Sequence, residues 1–381
     1  MARRETAEIR NFAFGGEAFG LLPSGKGCFV RGAVPGERVA VEIVSEHARF
    51  VRAKLVAVET PSPRRITCAC PFAASCPGCS FGHVSPENEL LWKQEIFARF
   101  MTGAGAAEDA LLPPCPAPAR FGWRNKLRLA VENGVTGYRG EDNHTLVPVT
   151  ACLLAVPEIN AALGKIHAEG CDAVELRHTP RDGVLRLEKG NREQVLRDTL
   201  PGFGDFPVPA GAFFQTNPAV AALLAEEAVR LIRESGEEEL TELHCGVGVF
   251  SLCAAEKIPG LRTAGAEITA SSVVCARRAA EERGLASRCR FFHRDAASFY
   301  RERKKVSLLL ADPPRGGLDK RLFGEIVRRP PKVMIYVSCA PDTLQRDIKL
   351  LSVSGAKIVS TRLFNMFPAT AHFESLTLLR W

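Results

Sequence analysis

The stretch ELHCGVGVF, residues 242–250, decides the fold of the C-terminal half because it joins a predicted strand to a predicted helix through a glycine turn. Glycines at 246 and 248 let the backbone pass close to a ligand, and the N-terminus of the following helix can receive that ligand. A G-x-G pattern alone is a weak signal, since a plain tight turn can have the same letters. We therefore expect a nucleotide-type site at Gly246 and Gly248 on the strength of the flanking sequence.

Outward from this turn, the chain after Gln215 alternates strands and helices. A helix is predicted from Pro218 to Arg233, and the predicted strands are Leu240–His244, Thr263–Ile268, Arg290–His293, Val306–Ala311, Val333–Val337, Ile358–Leu363 and Ser375–Leu379. Alternation at this spacing is typical of a parallel, doubly wound α/β sheet. We expect a Rossmann-like domain over residues 213–381.

Acidic residues follow three successive predicted strands. Glu267 ends the second strand, where a carboxylate can accept hydrogen bonds from ribose hydroxyls. Asp295 follows the third strand and could accept from an adenine amino group, and Asp312 follows the fourth. Ligands of open α/β sheets bind at the carboxyl ends of the strands, where all three lie. Because Ser251 occupies the third position of the G-x-G-x-x-G dinucleotide fingerprint, the pattern favours S-adenosylmethionine over NAD.

Cys339 and Glu374 are the candidate catalytic residues. Cys339 follows the fifth predicted strand, and Glu374 begins the closing strand beside the same cleft. One reaction that needs a thiol nucleophile and a carboxylate base beside a methyl donor is methylation of carbon 5 of uracil. That carbon is a poor nucleophile, but a thiolate that adds to carbon 6 turns the ring into an enolate whose carbon 5 can attack a sulfonium methyl group. A base must then remove the carbon 5 proton before the thiol leaves. Cys339 as nucleophile and Glu374 as base would supply this chemistry, with His372 as the next candidate base.

The N-terminal part of the chain has a different pattern. Glycine-containing turns at residues 14–20 and 23–27 separate short alternating runs, which is typical of a small β-barrel. A Pro-rich linker follows at residues 61–65. We therefore expect a barrel over residues 1–61 and an α+β middle domain over residues 62–212, with a helix from Pro86 to Met101.

Four of the thirteen cysteines form a candidate metal centre. Cys70, Cys76 and Cys79 are closely spaced, and Cys152 is a plausible fourth ligand from the middle domain. Thiols of a cytosolic chain stay reduced, and clustered ones usually bind metal or do chemistry. Four thiolates suit zinc or an iron–sulfur cluster, and the spacing leaves both open. Cys68 receives no ligand role.

The composition describes a globular protein that can meet a polyanion. The 381 residues are 46% hydrophobic and 24% charged, with a net charge of +7, which permits binding to nucleic acid. No stretch approaches the roughly 20 apolar residues that a membrane helix needs. The polar start Met1–Glu5 lacks the apolar core of a signal peptide. We expect a monomeric cytoplasmic protein with no membrane partner.

These residues together resemble the RNA uracil-5 methyltransferase family, which methylates uridines in transfer and ribosomal RNA. The matching stretches are Phe213–Asn217, His244–Phe250, Asp312–Gly316, Ser338–Pro341 and Phe367–Glu374. The resemblance implies that Cys339 is the nucleophile and Glu374 the base. It also implies the residues that hold the methyl donor: Gln215, His244, Glu267, Asp295 and Asp312. Glu242 and Ala340 stand where the family usually has Asp and Asn.

The same resemblance extends to the N-terminal half. Residues 1–61 resemble a TRAM domain, which is an RNA-binding barrel. Ribosomal-RNA members carry a 4Fe-4S cluster on cysteines such as Cys70, Cys76, Cys79 and Cys152, whereas the bacterial transfer-RNA enzymes lack it. Barrel and cluster together favour 23S ribosomal RNA over transfer RNA as the substrate. The implied role of the cluster is structural or RNA-positioning.

Other functions remain alternatives. A cytosine-5 RNA methyltransferase carries a cysteine after the Asp-Pro or Ala-Pro of the fourth strand, whereas here Arg315 follows Pro314. An amino-group methyltransferase also uses an Asp-Pro-Pro motif, but it needs neither Cys339 nor Glu374. A non-catalytic RNA-binding iron–sulfur protein belongs to a different class. The intact Cys339, Glu374 and Gln215 argue against that loss of catalysis.

Overall fold

The computed structural model describes residues 3–166, 168 and 170–381, so Met1 and Ala2 of the polar N-terminus lie outside the described residues. The strands there are β1 Arg4–Phe12, β2 Ala18–Leu21, β3 Gly27–Val30, β4 Arg38–Glu46, β5 Phe50–Thr60, β6 Lys126–Glu132, β7 Val135–Arg139, β8 Leu146–Pro148, β9 Ala173–Thr179, β10 Gly183–Leu187, β11 Val195–Leu200, β12 Gly204–Pro209, β13 Glu239–Leu243, β14 Arg262–Glu267, β15 Cys289–His293, β16 Leu308–Ala311, β17 Val333–Ser338, β18 Lys357–Phe364 and β19 Glu374–Arg380. The helices are α1 Pro86–Gly103, α2 Pro157–Leu163, α3 Pro218–Ser235, α4 Val249–Lys257, α5 Ala270–Glu282, α6 Ala296–Glu302, α7 Lys320–Arg328 and α8 Pro341–Ser352.

The N-terminal strands β1–β5 form a closed barrel in the order β1-β2-β3-β5-β4. Alternate side chains of a strand point to opposite faces, so Ala7 and Ile9 are buried while Glu8 and Arg10 are exposed. The register of β1 against β2 shifts between Ile9 and Asn11, and after that bulge Phe12 is the buried residue. The barrel predicted from the glycine turns is confirmed.

Helix α1 lies between the barrel and the C-terminal sheet. The Ser85 hydroxyl caps its N-terminus by accepting from Asn88 N, and proline occupies its first turn. Trp92 packs in the same buried cluster as the barrel interior. Phe97 and Met101 belong instead to a core cluster of the C-terminal sheet. The two faces of one helix thus connect two regions of the chain.

The middle segment contains antiparallel strands and a short helix. A five-stranded sheet has the order β10-β9-β6-β7-β8, and β11 pairs with β12 in a separate hairpin. Helix α2 covers the sheet with Ile159 and Leu163, which share a buried cluster with Leu127 and Leu176. Arg177 of β9 joins sheet and hairpin through a buried ion pair with Asp198 of β11, at 2.8 Å.

The C-terminal sheet has seven strands in the order β15-β14-β13-β16-β17-β19-β18. Neighbours from β15 to β17 are parallel, which confirms the predicted alternation there. Strand β19 is antiparallel to both β17 and β18, so the prediction of a fully parallel sheet was wrong at this edge. Residues 365–373 connect β18 to β19 without a helix, and a chain that returns without a crossover pairs antiparallel.

The segment between barrel and sheet also reaches the sheet edge. Leu111 and Cys115 form isolated parallel bridges with Thr361 and Phe364 of β18. The domain boundaries after residues 61 and 212 therefore remain predictions, since residues of the middle segment take part in the C-terminal sheet. In the described part of the chain, each helix is too short or too polar to cross a membrane.

Candidate active site

The glycine turn after β13 has a backbone that favours glycine. Gly246 has φ 55° and Gly248 has φ 80°, both in the left-handed region. A Cβ on Gly248 would lie 2.6 Å from the ring of Phe291, whereas a Cβ on Gly246 would meet no atom within 4 Å. Gly248 caps the N-terminus of α4. The turn therefore leads directly into the N-terminus of α4, where the sequence analysis places a ligand-binding site.

A cavity of about 60 Å³ lies beside this turn. Four of the predicted site residues line it: Gln215, His244, Gly246 and Asp312. Most of the remaining wall is apolar and includes Leu200, Phe213, Phe214, Val247 and Phe250. A largely apolar concave space with a few polar groups is typical of a small-molecule site.

The other predicted cofactor acids are held by the backbone near this turn. Glu267 accepts hydrogen bonds from Gly246 N at 3.1 Å and from Thr269 N at 2.8 Å. Asp295 caps α6 by accepting from Ser298 N at 3.0 Å. Its second oxygen accepts from Arg321 at 3.0 Å. Glu267 is therefore tied to the glycine turn itself, while both oxygens of Asp295 already have partners on or near α6 and α7.

His244 has a buried polar atom without a partner. Its Nε2 finds no hydrogen-bond partner among the described residues. Burial lowers the pKa of His244, and the nearby Glu267 opposes that shift. A neutral imidazole with a free ring nitrogen on a cavity wall can hydrogen-bond to a bound molecule. The residues present thus fit a polar ligand such as S-adenosylmethionine.

Glu242 is a buried carboxyl group in the same wall, and sequence reasoning gave it no role in the site. It accepts a hydrogen bond from Ser251 N at 2.9 Å. Burial raises its pKa to about 8, so at neutral pH the carboxyl group mostly carries its proton and can donate a hydrogen bond. The sequence did contain a signal for Glu242, since it is the first residue of the stretch 242–250 that contains the glycine turn.

Strands β17 and β19 bring the two candidate catalytic residues together. Ser338 pairs with Ser375 across these antiparallel strands, and the Ser375 hydroxyl donates to Ser338 O at 3.1 Å. Cys339 directly follows Ser338, and Glu374 directly precedes Ser375. The predicted placement of both residues at one cleft therefore rests on a single strand pair.

Charges in this cluster favour the neutral, protonated forms. Burial raises the pKa of Cys339 to about 11, and Glu374 and Asp312 add to that rise. Burial and the charge of Asp312 raise the pKa of Glu374 well above its usual range. Burial also raises the pKa of Asp312 to about 7. At neutral pH the site therefore holds a thiol and at least one protonated carboxyl group.

Arg315 is the cation that opposes these shifts, and sequence reasoning gave it no role in the site. The positive charge of its guanidinium group lowers the pKa of the Cys339 thiol. It also lowers the pKa of Glu374. A signal was present, since a thiol that must ionise calls for a nearby cation, and Arg315 follows the Asp-Pro-Pro motif at 312–314.

The candidate metal cysteines lie close enough to influence one another. Cys152, Cys70 and Cys76 all raise the pKa of Cys79, which burial brings to about 12. Cys68 belongs to the same neighbourhood, because a Cβ on Gly82 would lie 2.8 Å from its Sγ. Among the described residues, however, no group of three His, Cys, Asp or Glu side chains is arranged to hold a single metal ion.

Comparison with known proteins gives a consistent family. A sequence model described as tRNA (uracil-5-)-methyltransferase matches residues 205–381. The chain is 30% identical over 422 residues to a 23S rRNA (uracil(1939)-C(5))-methyltransferase of Dechloromonas aromatica, covering 94% of this chain and 96% of that protein. It is 26% identical to an uncharacterized RNA methyltransferase of Caldanaerobacter subterraneus, with 98% and 97% covered.

A solved structure shares the whole architecture. The tRNA (uracil-54, C5)-methyltransferase of Pyrococcus abyssi, in complex with S-adenosyl-L-homocysteine, matches with a TM-score of 0.76 and 23% identity. The match covers 98% of this chain and 99% of that one, so barrel, middle segment and sheet are all shared. The shared architecture concerns the fold; the Dechloromonas relative, 30% identical over nearly the whole of both chains, establishes that the chain belongs to the family of S-adenosylmethionine-dependent RNA uracil-5 methyltransferases.

Proposed function

We propose that this enzyme methylates carbon 5 of a uridine in 23S ribosomal RNA. The observation that carries the chemistry is the adjacency of Cys339 and Glu374 across β17 and β19. The ribosomal target is supported by the relative from Dechloromonas aromatica, whose name gives that RNA, and by the neighbourhood of thiols around Cys79. Transfer RNA is the second candidate, because the Pyrococcus abyssi protein of the same fold is named for it.

The methyl donor would lie in the cavity beside the glycine turn. Gln215, His244, Gly246 and Asp312 line that cavity, Gly248 opens the helix α4, and Glu267 and Asp295 are the predicted hydrogen-bond acceptors for its ribose and adenine. S-adenosylmethionine supplies an electrophilic methyl group when it is bound. The free Nε2 of His244 supports this assignment most directly.

Cys339 is the proposed nucleophile toward carbon 6 of uracil. Because burial raises the pKa of its thiol to about 11, its proton must pass to the uracil oxygen as the sulfur–carbon bond forms. Arg315 favours the thiolate by its positive charge. Addition shifts an electron pair toward carbon 5, which then takes the methyl group. Asp312 lines the cofactor cavity and also acts on Cys339, so the two sites adjoin at this residue.

Glu374 is the proposed base that ends the reaction. After methyl transfer, carbon 5 carries both a methyl group and a hydrogen. Removal of that proton by the Glu374 carboxylate restores the ring double bond and expels the Cys339 sulfur. Burial and Asp312 make Glu374 a strong proton acceptor once it is ionised, because they raise its pKa. A raised pKa thus suits the role of base at this step.

Release of tritium from RNA that contains 5-tritiated uridine tests the reaction, since formation of 5-methyluridine must expel that hydrogen. We expect release from an unmodified 23S transcript when S-adenosylmethionine is present. Release from transfer RNA transcripts alone would move the target to the second candidate. Methyl incorporation without tritium release from either RNA would contradict uracil-5 methylation and favour an amino-group methyltransferase.

We also propose that Cys70, Cys76, Cys79 and Cys152 hold a 4Fe-4S cluster. Each of these thiols influences the pKa of another. Each iron of such a cluster takes its own thiolate, so the four sulfurs need not converge on one point as they would around a single ion. Thiolate-only ligation fits this donor set.

Metal content decides this second proposal. Protein purified without oxygen should contain about four irons per chain. Cys152→Ser should lose most of the iron, whereas Cys171→Ser, a matched change of another half-buried cysteine in the middle segment, should keep it. Stoichiometric zinc in colourless protein would contradict the cluster.

The barrel is the proposed RNA-binding surface. Phe19 and Phe29 lie 5.2 Å apart, Phe29 and Phe50 lie 5.4 Å apart, and His47 stacks on Phe50 at 4.4 Å. Arg52 lies over the Phe29 ring at 5.8 Å. Rings with adjacent cations suit stacking on unpaired bases. Phe29→Ala should weaken RNA binding by about 1–3 kcal/mol and leave S-adenosylmethionine affinity unchanged; equal loss of both would contradict this assignment.

A further inference from the structure

Helix α1 presents one face to the loop that precedes the proposed base. Glu89, Lys93 and Phe97 have i, i+4, i+8 spacing, so they lie along one side of the helix. That side contacts residues 365–373, the connection from β18 to β19. Glu374 is the first residue of β19. The helix therefore contacts the chain immediately before Glu374.

Lys93 is a fully buried ammonium group whose donors are all used. Its side chain is 0% exposed, and Nζ donates to Glu89 Oε1 at 2.8 Å, to Asn365 Oδ1 at 2.7 Å and to Phe367 O at 3.1 Å. An ammonium group has three N–H donors, so each has an acceptor. Two of the three acceptors belong to the loop.

Glu89 fixes the middle of the same loop. Its side chain is 1% exposed, and both carboxylate oxygens accept from Ala369 N at 3.0 Å. Ala369 has φ 64°, a left-handed conformation that is uncommon for a residue with a Cβ. On its other side, Ala369 O accepts from Phe81 N at 3.0 Å. The contacts that hold Ala369 in this conformation thus come from outside the loop.

The two ends of the loop are close together. Phe364 pairs with Glu374 across β18 and β19, so the loop leaves and returns at the base. Phe97 packs edge to face on Phe373 with ring centroids 5.7 Å apart. Contacts from α1 are therefore distributed from residue 365 to residue 373, and the last of them adjoins Glu374.

Stability alone is a weak explanation for this ion pair. A buried ion pair loses hydration on both groups, and its replacement by apolar residues of similar volume is often neutral or stabilising. The pair does something that apolar residues cannot do, since it provides directed hydrogen bonds to a side chain, a carbonyl and an amide of one loop. Directed bonds select one loop conformation.

We propose that Glu89 and Lys93 are positioning residues that hold the loop at 365–373 so that Glu374 can reach the carbon 5 proton. The inference rests on the proposed role of Glu374 as the base. It assigns no contact with substrate to either residue. We expect their effect on the step in which the covalent adduct is resolved, because the hydrogen bonds of both side chains in the described structure go to each other and to the loop, and none goes to Cys339.

The test replaces the pair by apolar residues and measures adduct resolution in a single turnover. In the Glu89→Leu, Lys93→Met double variant, apolar packing should replace the ion pair while the directed bonds are lost. We expect covalent adduct formation at close to the wild-type rate and resolution slowed about 10- to 100-fold, since a misplacement on the order of 1 Å can cost that much. A methylated protein–RNA band should therefore accumulate on a denaturing gel. Resolution at the wild-type rate would overturn the proposal.

Glu89→Gln provides a second variant if the double variant does not fold. Glutamine keeps the size of the side chain and one acceptor for Ala369 N, but it weakens the bond to Lys93. We expect the adduct to persist several-fold longer than in the wild type, with unchanged affinity for S-adenosylmethionine. A wild-type adduct lifetime in a folded Glu89→Gln protein would equally overturn the proposal.

Glu37 offers a matched control. It is a buried carboxylate that pairs with Arg65 and accepts from Val34 N at 2.8 Å, but it lies in the barrel. Glu37→Gln should leave the adduct lifetime unchanged, and a similar adduct accumulation there would assign the effect to general loosening. Glu374→Gln is run in parallel. If it does not trap the adduct, the assignment of Glu374 as the base is wrong. If it traps the adduct but the variants of Glu89 and Lys93 do not, only the inference about α1 is wrong.

Discussion

The cofactor cavity and the reaction cluster lie at the same end of one sheet, but their polar groups differ in how they are partnered. In the cavity wall, the Nε2 of His244 has no partner within the described chain. In the cluster, burial raises the pKa of Cys339, Glu374 and Asp312. Asp312 adds to the rise at Cys339 and Glu374, and Arg315 opposes it at both. The cofactor cavity therefore has a polar atom free to bind a ligand. The reaction cluster instead consists of side chains that are protonated before the reaction begins.

Removal of the Cys339 sulfur should have the largest effect. Cys339→Ala has no nucleophile, so we expect neither a covalent complex nor methyl transfer above background. Binding of S-adenosylmethionine, measured by calorimetry, should stay close to that of the wild type because Cys339 lies outside the cavity lining. Retained activity would favour an amino-group methyltransferase built around Asp312.

Glu374→Gln should separate the two halves of the reaction. Adduct formation and methyl transfer remain possible, but the carbon 5 proton has no base to receive it, so turnover should fall by about 10²- to 10⁴-fold. A methylated adduct should accumulate on a denaturing gel and vanish in the Cys339→Ala, Glu374→Gln double variant. Normal turnover by Glu374→Gln would direct attention to His372.

Arg315→Gln should change the pH dependence of adduct formation. Arg315 lowers the pKa of Cys339, which burial raises to about 11, so its loss should raise that pKa further. Below the pKa, the thiolate fraction falls about tenfold per pKa unit. Adduct formation at pH 7 should slow about tenfold for each unit by which the pKa of Cys339 rises. The pH profile of adduct formation should move toward alkaline values. Arg315→Lys keeps the charge and should recover part of the rate; an unshifted profile in Arg315→Gln would contradict the role of Arg315.

Two glycine substitutions should have the smallest effects on the rates of the chemical steps. They test the turn beside the cofactor cavity. Gly248→Ala adds a Cβ 2.6 Å from Phe291, and overpacking costs about 1–3 kcal/mol of unfolding free energy. Gly246→Ala has similar backbone strain but open space around its Cβ. We expect a larger loss of thermal stability and of S-adenosylmethionine affinity in Gly248→Ala, without adduct accumulation in either. Equal losses would show that backbone strain, and not the Phe291 contact, decides the effect.

Local signals in the sequence predicted the backbone around the glycine turn. The glycine turn and its flanking strands are contiguous, so periodicity and glycine positions carry their structure. The carboxyl ends of the strands brought His244 and Asp312 to one cavity as expected. Asp295 was less predictable, because a helix cap and a partner such as Arg321 leave no trace in strand periodicity.

Long-range contacts determine the features that the sequence did not predict, namely the position of β19 and the surroundings of two buried or clustered charges. The antiparallel placement of β19 between β17 and β18 depends on strand pairing that periodicity does not encode. Nothing in the sequence distinguishes Lys93 from the other polar residues of its predicted helix, and only its contact with Asn365 reveals why a charge is buried there. The proximity of Arg315 to Cys339 is equally hidden in the sequence, since the two residues lie on different strand–helix connections.

The insertion of β19 between two earlier strands has a consequence for synthesis of the protein. A ribosome makes β17 and β18 before β19, at about 5–20 residues per second, so a growing chain can complete the glycine turn and its cavity while a gap remains in the sheet. Unpaired strand edges invite pairing with other chains, and that gap is flanked by two of them. Arrest between residues 364 and 374 would therefore leave β17 and β18 without the strand that pairs with both of them, and the chain without Glu374.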